Sequence, residues 1–164
     1  MPDYRYAASP EDLPSLAELS KFSGLDQLRM IIGGEVAAPP ISRLLGFRMV
    51  TADEGRVVFR GTPQFEAANP IGTTHGGWYG AILDSALACA VQSMVPVGYG
   101  STTLEYKVNI IRPLPAGMEA ESAGVASHVG RTTGVASAEL RGVVDDKLYA
   151  TGSTTCQVFR LPAG

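Results

Sequence analysis

Apolar residues recur every three or four positions near the start of the chain. In residues 9–22, SPEDLPSLAELSKF, Leu13, Leu16, Leu19 and Phe22 stand at helical spacing. Ser9 can cap this stretch, Pro10 suits a first turn, and Glu11 and Asp12 favour the positive end of a helix. A second helical piece is predicted over residues 25–32, broken by Gly33-Gly34, and Pro39-Pro40 closes the region. Residues 1–10 read as a loose tail and residues 11–45 as a helical lead-in.

The pattern changes after Leu45. Residues 46–63, GFRMVTADEGRVVFRGTP, predict two strands around a turn at Asp53-Glu54-Gly55, and residues 61–75 a loop with Pro63 and Asn69-Pro70. Residues 76–95, GGWYGAILDSALACAVQSMV, hold no proline and one charge, Asp84. The length suits a membrane span, but Asp84, Ser85, Gln92 and Ser93 interrupt it, so the stretch reads as a buried core helix. Beyond Gly100 the period is two. Thr102, Leu104, Tyr106, Val108 and Ile110 form one face of a strand, expected to be dry and turned to the helix; Ser101, Thr103, Glu105, Lys107 and Asn109 form the wet one. Turns at residues 113–117, 130–131 and 145–146 separate three more strands. The order β-β-α-β-β-β-β predicts one α+β domain, an antiparallel sheet wrapped around a buried helix.

Composition narrows the classes of function. With 164 residues, 45% hydrophobic and 18% charged, the chain can bury a core, which excludes a disordered chain or a coiled coil. A net charge of −3 and a pI near 5.3 argue against a nucleic-acid partner. Two cysteines outside any C-x-x-C pair give neither a disulfide framework nor a structural metal site; no metal and no cofactor are expected. Reduced thiols and a start without a basic, apolar leader point to the cytoplasm.

Candidate chemistry sits at the head of the long helix, in Asn69-Pro-Ile-Gly-Thr-Thr-His75-Gly76-Gly77 and in Asp84. Two glycines at a helix start leave backbone N–H groups uncovered, and with the helix dipole they suit a developing oxyanion. The alternative is that they let the helix pack closely on a strand. A carboxylate within an apolar helix is costly to bury; desolvation would make Asp84 a base, or a nucleophile if it stays ionised, and the alternative is a structural Asp bonded to a nearby group. Gly76 and Asp84 are eight residues apart, about 12 Å along one helix, which no Asp side chain spans. If both act on one atom, they come from two subunits, which predicts a two-fold dimer. His75 is expected to hold the loop by a hydrogen bond. Asn69 can cap, turn the chain before Pro70, or donate to a substrate oxygen; Thr102, on the face turned to the helix, is expected to bond backbone there. Arg112 and Arg131, beside turns, are either solvated or phosphate ligands. Cys89 and Met94 read as core, and Trp78 and Tyr79 as pocket wall, interface or core.

The spacing Asn69…His75-Gly76-Gly77…Asp84, on this strand–helix order, resembles the hotdog-fold thioesterases, in particular the phenylacetate-pathway and 4-hydroxybenzoyl-CoA type. The resemblance covers roughly residues 40–160, a hotdog domain over 41–160, and leaves 1–40 as an N-terminal helical extension. It implies hydrolysis of an acyl-CoA thioester. Gly76 N–H would polarise the carbonyl, and Asp84 of the other protomer would attack it or activate water. Asn69 and Thr102 would fix the carbonyl or the water, and His75 would orient. Gly77 would join substrate binding, with Arg131 and then Arg112 as candidates for the CoA phosphates. The family needs no metal and forms homodimers or homotetramers. A non-catalytic acyl-CoA or lipid-binding module and a hotdog hydratase are the alternatives; Asp84 speaks against the first, and the lack of a second histidine near the motif against the other. No membrane partner is expected.

Overall fold

The computed structural model describes residues 4–162. Four helices and six strands follow in chain order: α1 (Leu16–Leu19), α2 (Gly24–Ile32), α3 (Pro40–Leu44), β1 (Phe47–Asp53), β2 (Arg56–Gly61), α4 (Gly76–Gln92), β3 (Tyr99–Ile110), β4 (Ala120–Val129), β5 (Thr133–Gly142) and β6 (Leu148–Arg160). From β1 onward this is the order expected from the sequence. The strands form one antiparallel sheet in the order β1-β2-β4-β5-β6-β3, curled around α4: the hotdog arrangement.

Burial of α4 holds the sheet's concave face together. Trp78, Tyr79, Ile82, Leu83, Leu87 and Val91 are at most 2% exposed. Each such side chain contributes roughly 1.5–3 kcal/mol of transfer free energy. The helix lies so close to the sheet that a Cβ on Gly124 of β4 would collide with the Ala86 carbonyl; only glycine permits that approach. Among the large buried side chains, Trp78 Nε1 donates to Leu45 O at 2.8 Å, so the indole ties α4 to the chain before β1. Trp78 and Tyr79 are therefore core residues. One face of α4 stays half open: Ala81, Asp84, Ser85, Ala88, Cys89 and Gln92 are only partly buried, in contrast to the all-round burial expected.

The lead-in is helical but divided. Pro14 interrupts the first apolar stripe, and Ser15 caps a new helix by accepting from Glu18 N. Leu13, Leu16 and Phe22 remain 43, 52 and 38% exposed, so that stripe does not face the core. Leu28 of α2 does enter it. The tail expected over residues 1–10 is, from Tyr4 onward, tied down: Tyr6 bridges Ala38, and Tyr4 Oη accepts from Met49 N at 3.3 Å. Residues 1–3 lie outside the described residues.

Candidate active site

The head of α4 is fixed from three sides. Asn69 Oδ1 accepts from Ile71 N and Thr73 N, both at 3.1 Å, while its Nδ2 donates to Thr73 Oγ1 at 2.8 Å. The amide thus folds the loop before the helix, the turn role rather than a cap. His75 N donates to Ala67 O at 2.8 Å, and Thr74 Oγ1 donates to Leu114 O at 2.6 Å. Tyr79 Oη donates to Arg112 O at 3.2 Å and accepts from Leu114 N at 2.6 Å, pinning the segment after β3 beside the helix start.

His75 is the N-cap of α4, and its Nδ1 accepts from Gly77 N at 2.9 Å. That bond leaves the neutral ring's proton on Nε2. It also corrects the expectation of two free donors. Gly77 N–H is taken by the cap, whereas among the described residues Gly76 N–H meets no acceptor. Neither glycine is there for backbone packing: a Cβ on Gly76 would meet only the Ile110 side chain, at 3.4 Å. One exposed donor at the positive end of a 17-residue helix is what remains.

Asp84 lies two turns further on, with Oδ1 accepting from Thr103 Oγ1 at 2.9 Å. The sequence put Thr102 on this face, and the structure reverses the assignment. The β3–β6 register shifts between Thr103 and Glu105, and such a bulge exchanges the two faces of a strand. Before it, Ser101 and Thr103 meet α4; after it, Tyr106 and Ile110 do, while Thr102 is exposed. Strand β3 therefore runs antiparallel to α4, with Ser101 against Gln92, Thr103 against Asp84, Tyr106 against Gly80 and Ile110 against Gly76.

Cys89 is one turn beyond Asp84. The residue keeps part of its surface open on the half-open face of α4, but desolvation of the sulfur pushes the thiol up to about 12, and the Asp84 charge adds to the rise, so this sulfur stays protonated. Arg112 is exposed, but its Nη1 donates to Leu148 O at 2.5 Å, which ties its head to the start of β6. Arg131 is exposed on the β4–β5 turn and borders a groove of about 380 Å³ with Met94, Pro96, Tyr99, Val129 and Val158. Arg160 stands over the Tyr99 ring at 5.9 Å. Arg131 and Gly76 thus lie towards opposite ends of α4 within one chain. Thr103, Tyr79 and the Tyr99 groove were not singled out by the sequence for these places.

The profile of the Thioesterase superfamily matches residues 71–149, which include His75, Gly76, Gly77, Asp84, Thr103 and Arg131. Human acyl-coenzyme A thioesterase 13 is 28% identical over 132 residues, 78% of this chain and 91% of that protein. Among solved structures, a conserved protein of Pseudomonas aeruginosa is 31% identical with a TM-score of 0.67, over 73% of this chain and 93% of that one. A mutant form of the phenylacetic acid degradation protein PaaI of Thermus thermophilus is 28% identical with a TM-score of 0.66, over 72% of this chain and 97% of that one.

Proposed function

The chain belongs to the thioesterase superfamily, and we propose that it hydrolyses an acyl-coenzyme A thioester to the free acid and coenzyme A at a site shared by two copies. The observation that carries the shared site is the separation of its parts. Gly76 N–H opens α4, and Asp84 sits about 12 Å along the same helix. Across a two-fold axis, Gly76 of one copy can face Asp84 of the other.

Strand β3 supplies the means of pairing. Among the described strands it lies at the sheet's edge and pairs with β6 alone, and Leu104, Tyr106 and Ile110 on it are 60, 46 and 50% exposed. A free edge with apolar side chains is a template for another strand. Antiparallel pairing that sets Thr103 opposite the other copy's Ile110 centres the axis at Tyr106–Lys107, bringing each Asp84 towards the other Gly76. The domain over residues 41–160 carries all of these groups, with residues 1–40 as an extension.

In the reaction, Gly76 N–H stabilises the oxygen that gains charge as the thioester carbonyl is attacked. Asp84 either takes a proton from a water that attacks the carbonyl carbon, or attacks that carbon itself to form a mixed anhydride that water then hydrolyses; in both, the C–S bond breaks and coenzyme A leaves as the thiol with a proton from that water or from solvent. Thr103, rather than Thr102, orients the carboxylate. Asn69 holds the loop and retains one Nδ2 proton for the carbonyl or the water, and His75 keeps Gly77 within the helix turn. Arg131, with the Tyr99 groove, receives the nucleotide end of the substrate, with Arg112 second. Among the described residues no helix is long and apolar enough to cross a membrane.

Thiol release from a panel of acyl-CoAs tests the reaction. Asp84→Asn should lower kcat by about 10²-fold or more with little change in KM, and His75→Ala should be milder. A folded Asp84→Asn protein with full turnover would overturn the assignment. Sedimentation should find a dimer or tetramer; a fully active monomer would exclude a shared site.

A further inference from the structure

We infer that a chain of side-chain amides, buried at Gln27 and partly buried at Gln92, joins the N-terminal extension to the active site and sets where Thr103 stands against Asp84. The chain begins in α2. Gln27, 7% exposed, donates from Nε2 to Leu19 O at 2.9 Å and to Phe22 O at 3.3 Å. Its Oε1 accepts from Gln92 Nε2 at 3.0 Å, and Gln92 is the last residue of α4. Gln92 Oε1 in turn accepts from both Ser101 N, at 2.9 Å, and Ser101 Oγ, at 2.8 Å.

Each link has a structural purpose. Strand β3 is an edge strand, and Gln92 reaches its backbone at Ser101 with a side chain where a neighbouring strand would otherwise do so. Ser101 and Thr103 share a face ahead of the bulge, about 7 Å apart. Fixing Ser101 on Gln92 therefore fixes the height at which Thr103 meets Asp84, eight residues back on the same helix. Gln27 orients Gln92 by occupying its Nε2. The extension is seated closely enough to do this: Gly24 N donates to Val95 O at 3.1 Å, and a Cβ on Gly24 would collide with the Gln92 carbonyl. Apolar side chains here would fill the space but leave sliding free, whereas the buried Gln27 amide costs free energy unless its bonds are made, and they are made in this one register. Gln27 and Gln92 are positioning residues; neither touches the substrate.

This inference rests on the hydrolysis reading, and its test separates the two. Gln92→Leu removes both links at nearly constant volume. Its kcat should fall about tenfold with KM within twofold, because small misplacements of a reacting group cost that much or more. Gln92→Glu keeps the acceptor for Ser101 but loses the donor to Gln27 Oε1, so its kcat should lie between those of Gln92→Leu and the wild type. In a Thr103→Val background, Gln92→Leu should add less than a twofold loss, since both changes act through one contact. Gln27→Leu leaves the Gln92–Ser101 bonds in place but removes the acceptor for Gln92 Nε2, together with Gln27's own bonds to Leu19 O and Phe22 O, and should show the same non-additivity, which keeps the test alive if Gln92→Leu fails to fold. Unchanged kcat in the folded single variants, or equal losses in both backgrounds, would overturn the relay. A wild type without thiol release overturns the hydrolysis reading and the relay with it. An active wild type, an inactive Asp84→Asn and an unaffected Gln92→Leu overturn the relay alone.

Discussion

The Thr103 hydroxyl donates to Asp84 Oδ1 at 2.9 Å, although Thr102 is the residue that simple alternation along the strand would place there. Two adjacent threonines therefore give a matched pair of variants. Thr103→Val keeps the shape and removes the donor; a charge-assisted hydrogen bond is worth about 1.5–3 kcal/mol, so kcat should fall by roughly 10–100-fold if the bond counts fully in the transition state. Thr102→Val, on the exposed face, should stay within about twofold of wild type. Steady-state rates on one acyl-CoA decide it. The reverse ranking would return the role to Thr102 and detach Thr103 from the reaction.

Groove residues give a second prediction. Arg131 borders the Tyr99 groove, and its guanidinium suits a phosphate. Arg131→Ala should raise KM for an acyl-CoA about tenfold while leaving KM for the same acyl group on truncated pantetheine unchanged. Arg112, tied to Leu148 O, should show the smaller effect of the two. Equal rises on both substrates would place Arg131 away from the nucleotide end.

Much of this was legible in the sequence, for definable reasons. The succession of strands and helix along the chain followed from strand-length runs between Gly and Pro turns, and the head of α4 from His75-Gly76-Gly77 ahead of an apolar run. What was not legible depended on shifts and distant contacts. Nothing in residues 101–110 marks the bulge at Leu104, yet it decides whether Thr102 or Thr103 meets Asp84. The capture of Gly77 N–H needs the His75 rotamer, which no spacing rule supplies. Gln27 and Gln92 are 65 residues apart and look like ordinary polar positions on two helices. Leu13, Leu16 and Phe22 kept helical spacing without reaching the core because Pro14 broke the helix that would have carried them there.

Burial holds the Cys89 thiol at about 12, far above an ordinary cysteine. At pH 9 its thiolate fraction in the folded protein is then on the order of 10⁻³. Alkylation of Cys89 by iodoacetamide at that pH should be slower than that of free cysteine by a factor on the order of 10³, read by mass spectrometry of the peptide. The rate should still be climbing above pH 9, where an ordinary thiol has levelled off, and Cys89→Ala should retain turnover. The linkage sign is also fixed. Between the ordinary thiol value and about 12 the unfolded chain binds fewer protons than the folded one, so stability falls as pH rises through that window. Tyr4, also raised to about 12 by burial, acts in the same direction above the ordinary tyrosine value. The midpoint of thermal unfolding should therefore drop above pH 9, and part of that slope should vanish in Cys89→Ala. An alkylation rate that matches free cysteine and levels off near pH 9 would show an accessible, ordinary thiol instead.

Shared sites can be tested by pairing two damaged chains. Gly76→Pro deletes the N–H assigned to the carbonyl at a helix position that accepts proline: Gly76 is the first residue of α4, where the N–H has no intrahelical partner. The preceding residue, His75, already holds φ −64° and ψ 142°, the extended conformation that a following proline demands. Helix and cap should survive, so the loss is confined to the donor, and kcat should drop by about 10²-fold or more. Asp84→Asn is damaged in the other half of the site. Refolded together in equal amounts, the two chains should form hybrids in half of all pairs. Each hybrid holds one site with intact Gly76 and Asp84 from different chains and one site with neither, so activity should return to about a quarter of wild type. Either variant refolded alone should stay inactive. If the mixture is no more active than its components while sedimentation shows that hybrids form, Gly76 and Asp84 do not meet across the two-fold axis.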